Sequence, residues 1–222
     1  MKQLINNIKN LEKNDKTMLL LIFTTMGNIL IALIKFVFAF VIPSLWFFVN
    51  ACFLTVLSIS RFFAIKKYGE RRSITDKKLK EEIGYKTYLS NGILLIILGI
   101  MYFFVSVYMY YKGTNTTMHE YLTYLVALNA FWSISWAIHG MIKYKRKHSP
   151  ILKAVKITNF ANALTSIVLT QVVLLDYYAY QVSKYDLAKI NGYSGMAGSI
   201  AIIFMGLYMI INIRKCMIED NE

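Results

Sequence analysis

The sequence predicts an all-α integral membrane protein with six transmembrane helices and both termini in the cytoplasm. Three observations carry that expectation. The 222 residues are 57 % hydrophobic and only 17 % charged, whereas a soluble domain carries about 25 % charged residues. With a mean hydropathy of +0.47 the chain is too apolar to clothe itself in polar surface. Six apolar runs reach the roughly 20 residues that a membrane-crossing helix needs: 18–41, 44–65, 88–111, 121–144, 152–178 and 196–213. Finally, the basic residues are concentrated in alternate connecting segments.

The first two runs are separated by "VIPS", where Pro43 suits a tight turn, and Pro150 precedes the fifth run, a tolerated place at a helix start. The six spans leave an N-terminal arm, 1–17, and a short tail, 214–222, so no folded soluble domain is expected beside residues 18–213. The first run exceeds the usual 7–15-residue core of a secretory signal and has no small-x-small cleavage site, so it reads as a retained span. Before it, Leu4, Ile5, Ile8 and Leu11 share a helical face with lysines elsewhere. That pattern fits either an interfacial amphipathic helix or a frayed tail.

A net charge of +13 raises the question of nucleic acid. The distribution of the charge answers it. Lys2, Lys9, Lys13 and Lys16 lie in the arm, eight Lys and Arg residues fall between Lys66 and Lys86, and "KYKRKHS" separates the fourth and fifth spans. The alternate loops, "VIPS", "KGTNTTMHE" and "DYYAYQVSKYDLAKINGYSG", are poor in basic residues. This is the positive-inside pattern, which places both termini in the cytoplasm, and no nucleic-acid partner is expected. The second loop, with Asp76, Glu81 and Glu82 among its lysines, reads as a solvated helical lead-in to the third span. The alternative is a basic surface for anionic lipid. Cys52 and Cys216 are not expected to pair in a reducing compartment.

Metal-ligand clusters, a phosphate-binding loop, a nucleophile elbow and paired catalytic carboxylates are all missing, so neither an enzyme nor a bound cofactor or metal is expected. Within the spans the ionisable groups singled out are Lys35, His139 and Asp176, with Lys153 and Lys156 at the start of the fifth. Such residues usually mark function, although a lysine near a span end can snorkel to the interface. Neutral polar groups are plentiful. Asn50 and Thr55 lie in the second span, Asn129 and Ser133 share a face of the fourth, and "ITNFANALTS" places Thr158, Asn162, Thr165 and Ser166 along the fifth. Packing through interhelical hydrogen bonds explains such a stripe, and so does a substrate path. The path candidates are Asn50, Thr55, Asn129, Ser133, Thr158 and Asn162.

The order of these features resembles the transmembrane domain of the cation diffusion facilitators, six-helix exporters of zinc, manganese and related divalent cations. "GNILIALIKFVFAF", with Asn28 and Lys35, is similar to that family's first helix, "YLSNGILLIILGI" to its third, and "KHSPILKA" to its start of helix five; "NALTSIVL" and "NGYSGMAGSIAIIF" follow as helices five and six do there. The resemblance covers nearly all of residues 18–213. It implies a six-helix bundle, a homodimer, and a transport site made of two pairs of charged ligands at i, i+4 on the second and fifth helices. The matching positions here are Phe53 and Leu57, and Thr158 and Asn162. None is His, Cys, Asp or Glu, and neutral oxygens suit zinc poorly. A standard zinc/proton antiporter is therefore not expected, nor is the family's cytoplasmic metal-binding domain.

Two functions follow. One is a transporter on this scaffold, moving a cation or small polar solute past neutral oxygens. The other is a non-transporting membrane partner or regulatory subunit. The Lys, Asn and Ile content suits a bacterial plasma membrane, and the lipid bilayer is the expected environment.

Overall fold

A computed structural model describes residues 13–41, 44–113, 120–143, 150–178 and 184–219. The arm up to residue 12, residues 42–43 with Pro43, the loops 114–119, 144–149 and 179–183, and residues 220–222 lie outside the described residues. The described residues form α1 (Lys13–Val41), α2 (Leu45–Ser73), α3 (Lys77–Lys112), α4 (Glu120–Lys143), α5 (Pro150–Tyr178) and α6 (Lys184–Glu219). All six are long and apolar enough to cross a membrane. Large apolar side chains such as Phe40, Phe104, Phe131 and Phe204 are exposed around the bundle, the surface expected of a multi-pass protein solvated by lipid.

Four helices run well past their apolar runs: α1 starts at Lys13, α2 continues to Ser73, and α3 and α6 both start early. α3 begins at Lys77, so the charged segment before residue 88 is the helical lead-in expected of it, and Asp76 caps the helix by accepting from the Lys78 amide at 2.9 Å. A Lys86–Glu82 ion pair at 2.6 Å then carries the helix through the charged lead-in. α6 begins at Lys184 rather than 196, so "KYDLAKINGYS", expected as outer loop, is helical. The correction has a physical cause: polar residues at a membrane interface end the apolar run without ending the backbone hydrogen bonding. α3 stops at Gly113, whose φ of +82° favours glycine, and its amide donates to the Met109 carbonyl at 2.8 Å.

The most extensive packing is between α3 and α6. Small residues allow it, since in lipid helices associate by close van der Waals fit rather than by a hydrophobic drive. A Cβ at Gly206 would fall 2.7 Å from the Gly92 carbonyl oxygen, and one at Gly99 2.7 Å from Ile203 Cγ1. α5 is the hub. It packs on α2, α3, α4 and α6, and 61 % of its apolar window is buried against 17 % for α1 and for α4. α1 packs chiefly on α2, and α4 on α5. The two flanking helices therefore stand apart, with α5 behind them.

Candidate functional site

A cleft of about 340 Å³ lies between α1, α4 and α5. Its polar lining is Thr24 and Asn28 from α1, Ser133 from α4, and Asn159 and Asn162 from α5; Trp132 and Trp136 complete the α4 wall. The two indoles stack with ring centroids 6.3 Å apart and planes 13° from parallel. The spacing of these residues explains their convergence. Positions 24, 28 and 31 of α1, 132, 133 and 136 of α4, and 159 and 162 of α5 each recur at helical i+3 or i+4 on one face.

Two of the four stripe residues on α5 are spent internally. Thr158 Oγ1 donates to the Val155 carbonyl and Thr165 Oγ1 to the Asn162 carbonyl, each at 2.9 Å. Asn162 differs. It lines the cleft, yet its carboxamide oxygen is buried without a hydrogen-bond partner. Such an acceptor is costly unless something donates to it.

Of the six predicted path residues, the structure brings only Ser133 and Asn162 together at the cleft. Thr158 is buried one turn away along α5. Asn129, one turn from Ser133, does not line the cleft, and Thr55 returns its hydroxyl to the Ala51 carbonyl at 2.8 Å. Asn50 lies in a separate cluster near the α1–α2 hairpin. Its Nδ2 donates to the Trp46 carbonyl at 2.9 Å, while its Oδ1 and Trp46 Nε1 are buried without partners. Phe53 and Leu57 pack with Ala154 and Ala161 of α5 in the main apolar core, so the α2 positions of the resembled ligand pairs are filled by packing side chains. No group of three His, Cys, Asp or Glu able to hold a metal occurs among the described residues.

The residue that sequence reading missed is Arg61. It sits inside the second apolar run, and only 1 % of it is exposed. Its Nη2 crosses from α2 to donate to the Thr158 carbonyl at 3.1 Å, while Nε and Nη1 are buried without partners. The signal was present as an arginine four residues before the end of an apolar run, hidden by its nearness to the basic loop. Lys35, for which snorkelling was one reading, is also buried, at 6 % exposure, on the helix that packs chiefly on α2. No ion pair joins either cation to a carboxylate among the described residues. The intramembrane carboxylate Asp176 instead accepts from Asn191 Nδ2 at 3.1 Å where α5 meets α6, and His139 is exposed at the end of its span.

A larger groove, about 610 Å³, separates α2 from α3. Its polar groups satisfy one another: Ser60 Oγ donates to Asn91 Oδ1 at 2.7 Å, Asn91 Nδ2 to the Thr87 carbonyl at 2.8 Å, and Lys67 and Lys86 pair with Glu70 and Glu82. It offers a seam between helices rather than an unfilled polar site. The α1–α4–α5 cleft has the unpaired acceptor and is the candidate site. Compared with known proteins, the chain matches no family model and no curated sequence.

Proposed function

We propose that the chain is a membrane transporter-like protein that moves a small polar solute through the α1–α4–α5 cleft. The observation that carries this reading is Asn162, which lines the cleft with Asn28, Ser133 and Asn159 and whose buried side-chain oxygen has no partner. Amides on α1 and α5 and a hydroxyl on α4 give a solute both donors and acceptors, and the stacked indoles give it an apolar wall. Of the two solute classes expected from the sequence, the buried Lys35 and Arg61 favour a polar solute over a bare cation. Positive charge in low dielectric repels a cation, and among the described residues no carboxylate pairs with either group.

The scaffold is proposed as cation-diffusion-facilitator-like, on the sequence resemblance, and as a homodimer with both termini cytoplasmic in a bacterial plasma membrane. A second reading, a non-transporting partner or regulatory subunit, draws on Phe53 and Leu57, whose burial in the core leaves no ligand pair on α2. Uptake into proteoliposomes separates the two. The panel is radiolabelled neutral amino acids, small carboxylates, phosphate, zinc, manganese and magnesium, with Asn162→Ala as control. Transport of a polar solute that Asn162→Ala abolishes supports the first reading. No uptake of any member by protein that is folded and inserted supports the second.

A further inference from the structure

Arg61 is the least explained charge in the molecule. Ionisable groups in a membrane interior are costly and usually functional. By the 1.5 Å rise per residue, Arg61 stands about 24 Å along α2 from its start, still within a hydrocarbon layer of about 30 Å. At such a depth an arginine normally extends toward the nearby interface. This one turns inward, with Phe62 and Phe63 exposed beside it while Arg61 itself is 1 % exposed. It meets one backbone carbonyl, and Nε and Nη1 meet nothing.

The carbonyl it meets belongs to Thr158, and the next residue and the one a turn on, Asn159 and Asn162, line the cleft. The guanidinium thus meets α5 at the turn that carries Asn159 and Asn162, while Arg61 itself does not line the cleft. A guanidinium is a rigid fork of donors that matches the paired oxygens of a carboxylate or phosphate. The unpaired nitrogens on Arg61 are donors, and the unpaired oxygen on Asn162 is an acceptor. Together they complement a solute with an oxyanion and a hydrogen-bond donor.

We infer that Arg61 anchors an oxyanion, a carboxylate or phosphate group, and so makes the site selective for anionic solutes. The inference rests on the cleft reading above and adds the sign of the solute's charge. Binding requires the guanidinium to leave the Thr158 carbonyl and swing toward the cleft. The departure leaves that carbonyl in the α5 backbone ladder.

The test uses the full chain in phosphatidylcholine nanodiscs, titrated with inorganic phosphate, acetate and neutral acetamide. Tryptophan fluorescence, to which the cleft residues Trp132 and Trp136 contribute, and the thermal midpoint are both read. Expected are saturable responses to phosphate and acetate that weaken at least tenfold in Arg61→Met and less in Arg61→Lys. The acetamide response should survive Arg61→Met and vanish in Asn162→Ala. Phosphate and acetate responses in Arg61→Met within twofold of the parent protein would overturn the inference, and the cleft reading would stand if acetamide still responds. An anion response that depends on Arg61, with none to acetamide, would support the oxyanion site and overturn the cleft. Silence to all three probes would overturn both. Nanodiscs containing phosphatidylglycerol identify the source. If they raise the midpoint only when Arg61 is present and abolish the phosphate response, the oxyanion is a lipid headgroup; unchanged phosphate binding assigns it to a free solute.

Discussion

Replacing Arg61 by methionine should stabilise the protein while removing its anion response. The side chain is fully buried, and its Nε and Nη1 have no partner. Each unsatisfied buried group carries a penalty of about 1–3 kcal/mol. Against these stands one charge-assisted bond from Nη2 to the Thr158 carbonyl at 3.1 Å, a contribution of about 1.5–3 kcal/mol. Two orphaned groups outweigh one bond, and the Thr158 carbonyl keeps its helical partner when the guanidinium is gone. The net gain is on the order of 1–2 kcal/mol, within the range of about 1–4 kcal/mol seen when buried ions give way to apolar side chains of similar volume. For a chain of this size that corresponds to a rise of roughly 2–8 °C in the thermal midpoint. The assay is thermal unfolding in phosphatidylcholine nanodiscs without added oxyanion. A fall of more than about 4 °C would refute the reasoning, because it would mean that the guanidinium satisfies more of the interior than the one carbonyl.

Other substitutions probe the frame that holds the site. Leu57→Ala should cost about 2–5 kcal/mol, since Leu57 is a fully buried core side chain; a neutral result in chemical denaturation would contradict its place in that core. Gly206→Ala should disrupt the α3–α6 pair, where the new methyl would lie 2.7 Å from a backbone oxygen of Gly92. Gly27→Ala meets nothing within 4 Å and should gain about 0.4–1 kcal/mol. Thermal midpoints of the two variants should therefore move in opposite directions. Ser60→Ala removes the donor to Asn91 Oδ1 and should cost only about 0.6 kcal/mol, the typical worth of an interhelical bond in lipid. A loss several times larger would show that the α2–α3 groove depends on that bond.

The spans were legible because a run of some 20 apolar residues has few alternatives to a membrane helix. Their ends were not. Hydropathy stops at the interface whereas hydrogen bonding does not, so α6 starts at Lys184 in a segment read as loop; only the lead-in of α3 was visible, in its i, i+4 charges. The polar stripe on α5 was visible, and Asn162 does reach the cleft. Asn159 and Trp136, which line the same cleft, were not singled out, because spacing fixes which residues share a face but not which neighbour that face meets. Depth along α4 decided the fates of Asn129 and Ser133, one turn apart on the same face, of which only Ser133 lines the cleft. The small residues of "GMAGSIA" predicted close approach, and a Cβ at Gly198 would indeed fall 2.9 Å from Val168 of α5. Arg61 shows the opposite case. Its residue type was in plain view, but its burial depends on the direction in which α2 turns it, and a one-dimensional pattern does not carry that direction.

The central claim is that the cleft between α1, α4 and α5 is a hydrated polar site rather than a seam filled by lipid. The most direct measurement is thiol labelling by a membrane-impermeant methanethiosulfonate reagent in proteoliposomes. It starts from a variant in which Cys52 and Cys216 are replaced by alanine, with single cysteines then introduced as Ser133→Cys, Asn159→Cys and, on the exposed apolar face of α4, Leu128→Cys. The account predicts rapid labelling of the first two and none of the third. Labelling at neither Ser133→Cys nor Asn159→Cys, with the protein folded and inserted, would contradict it.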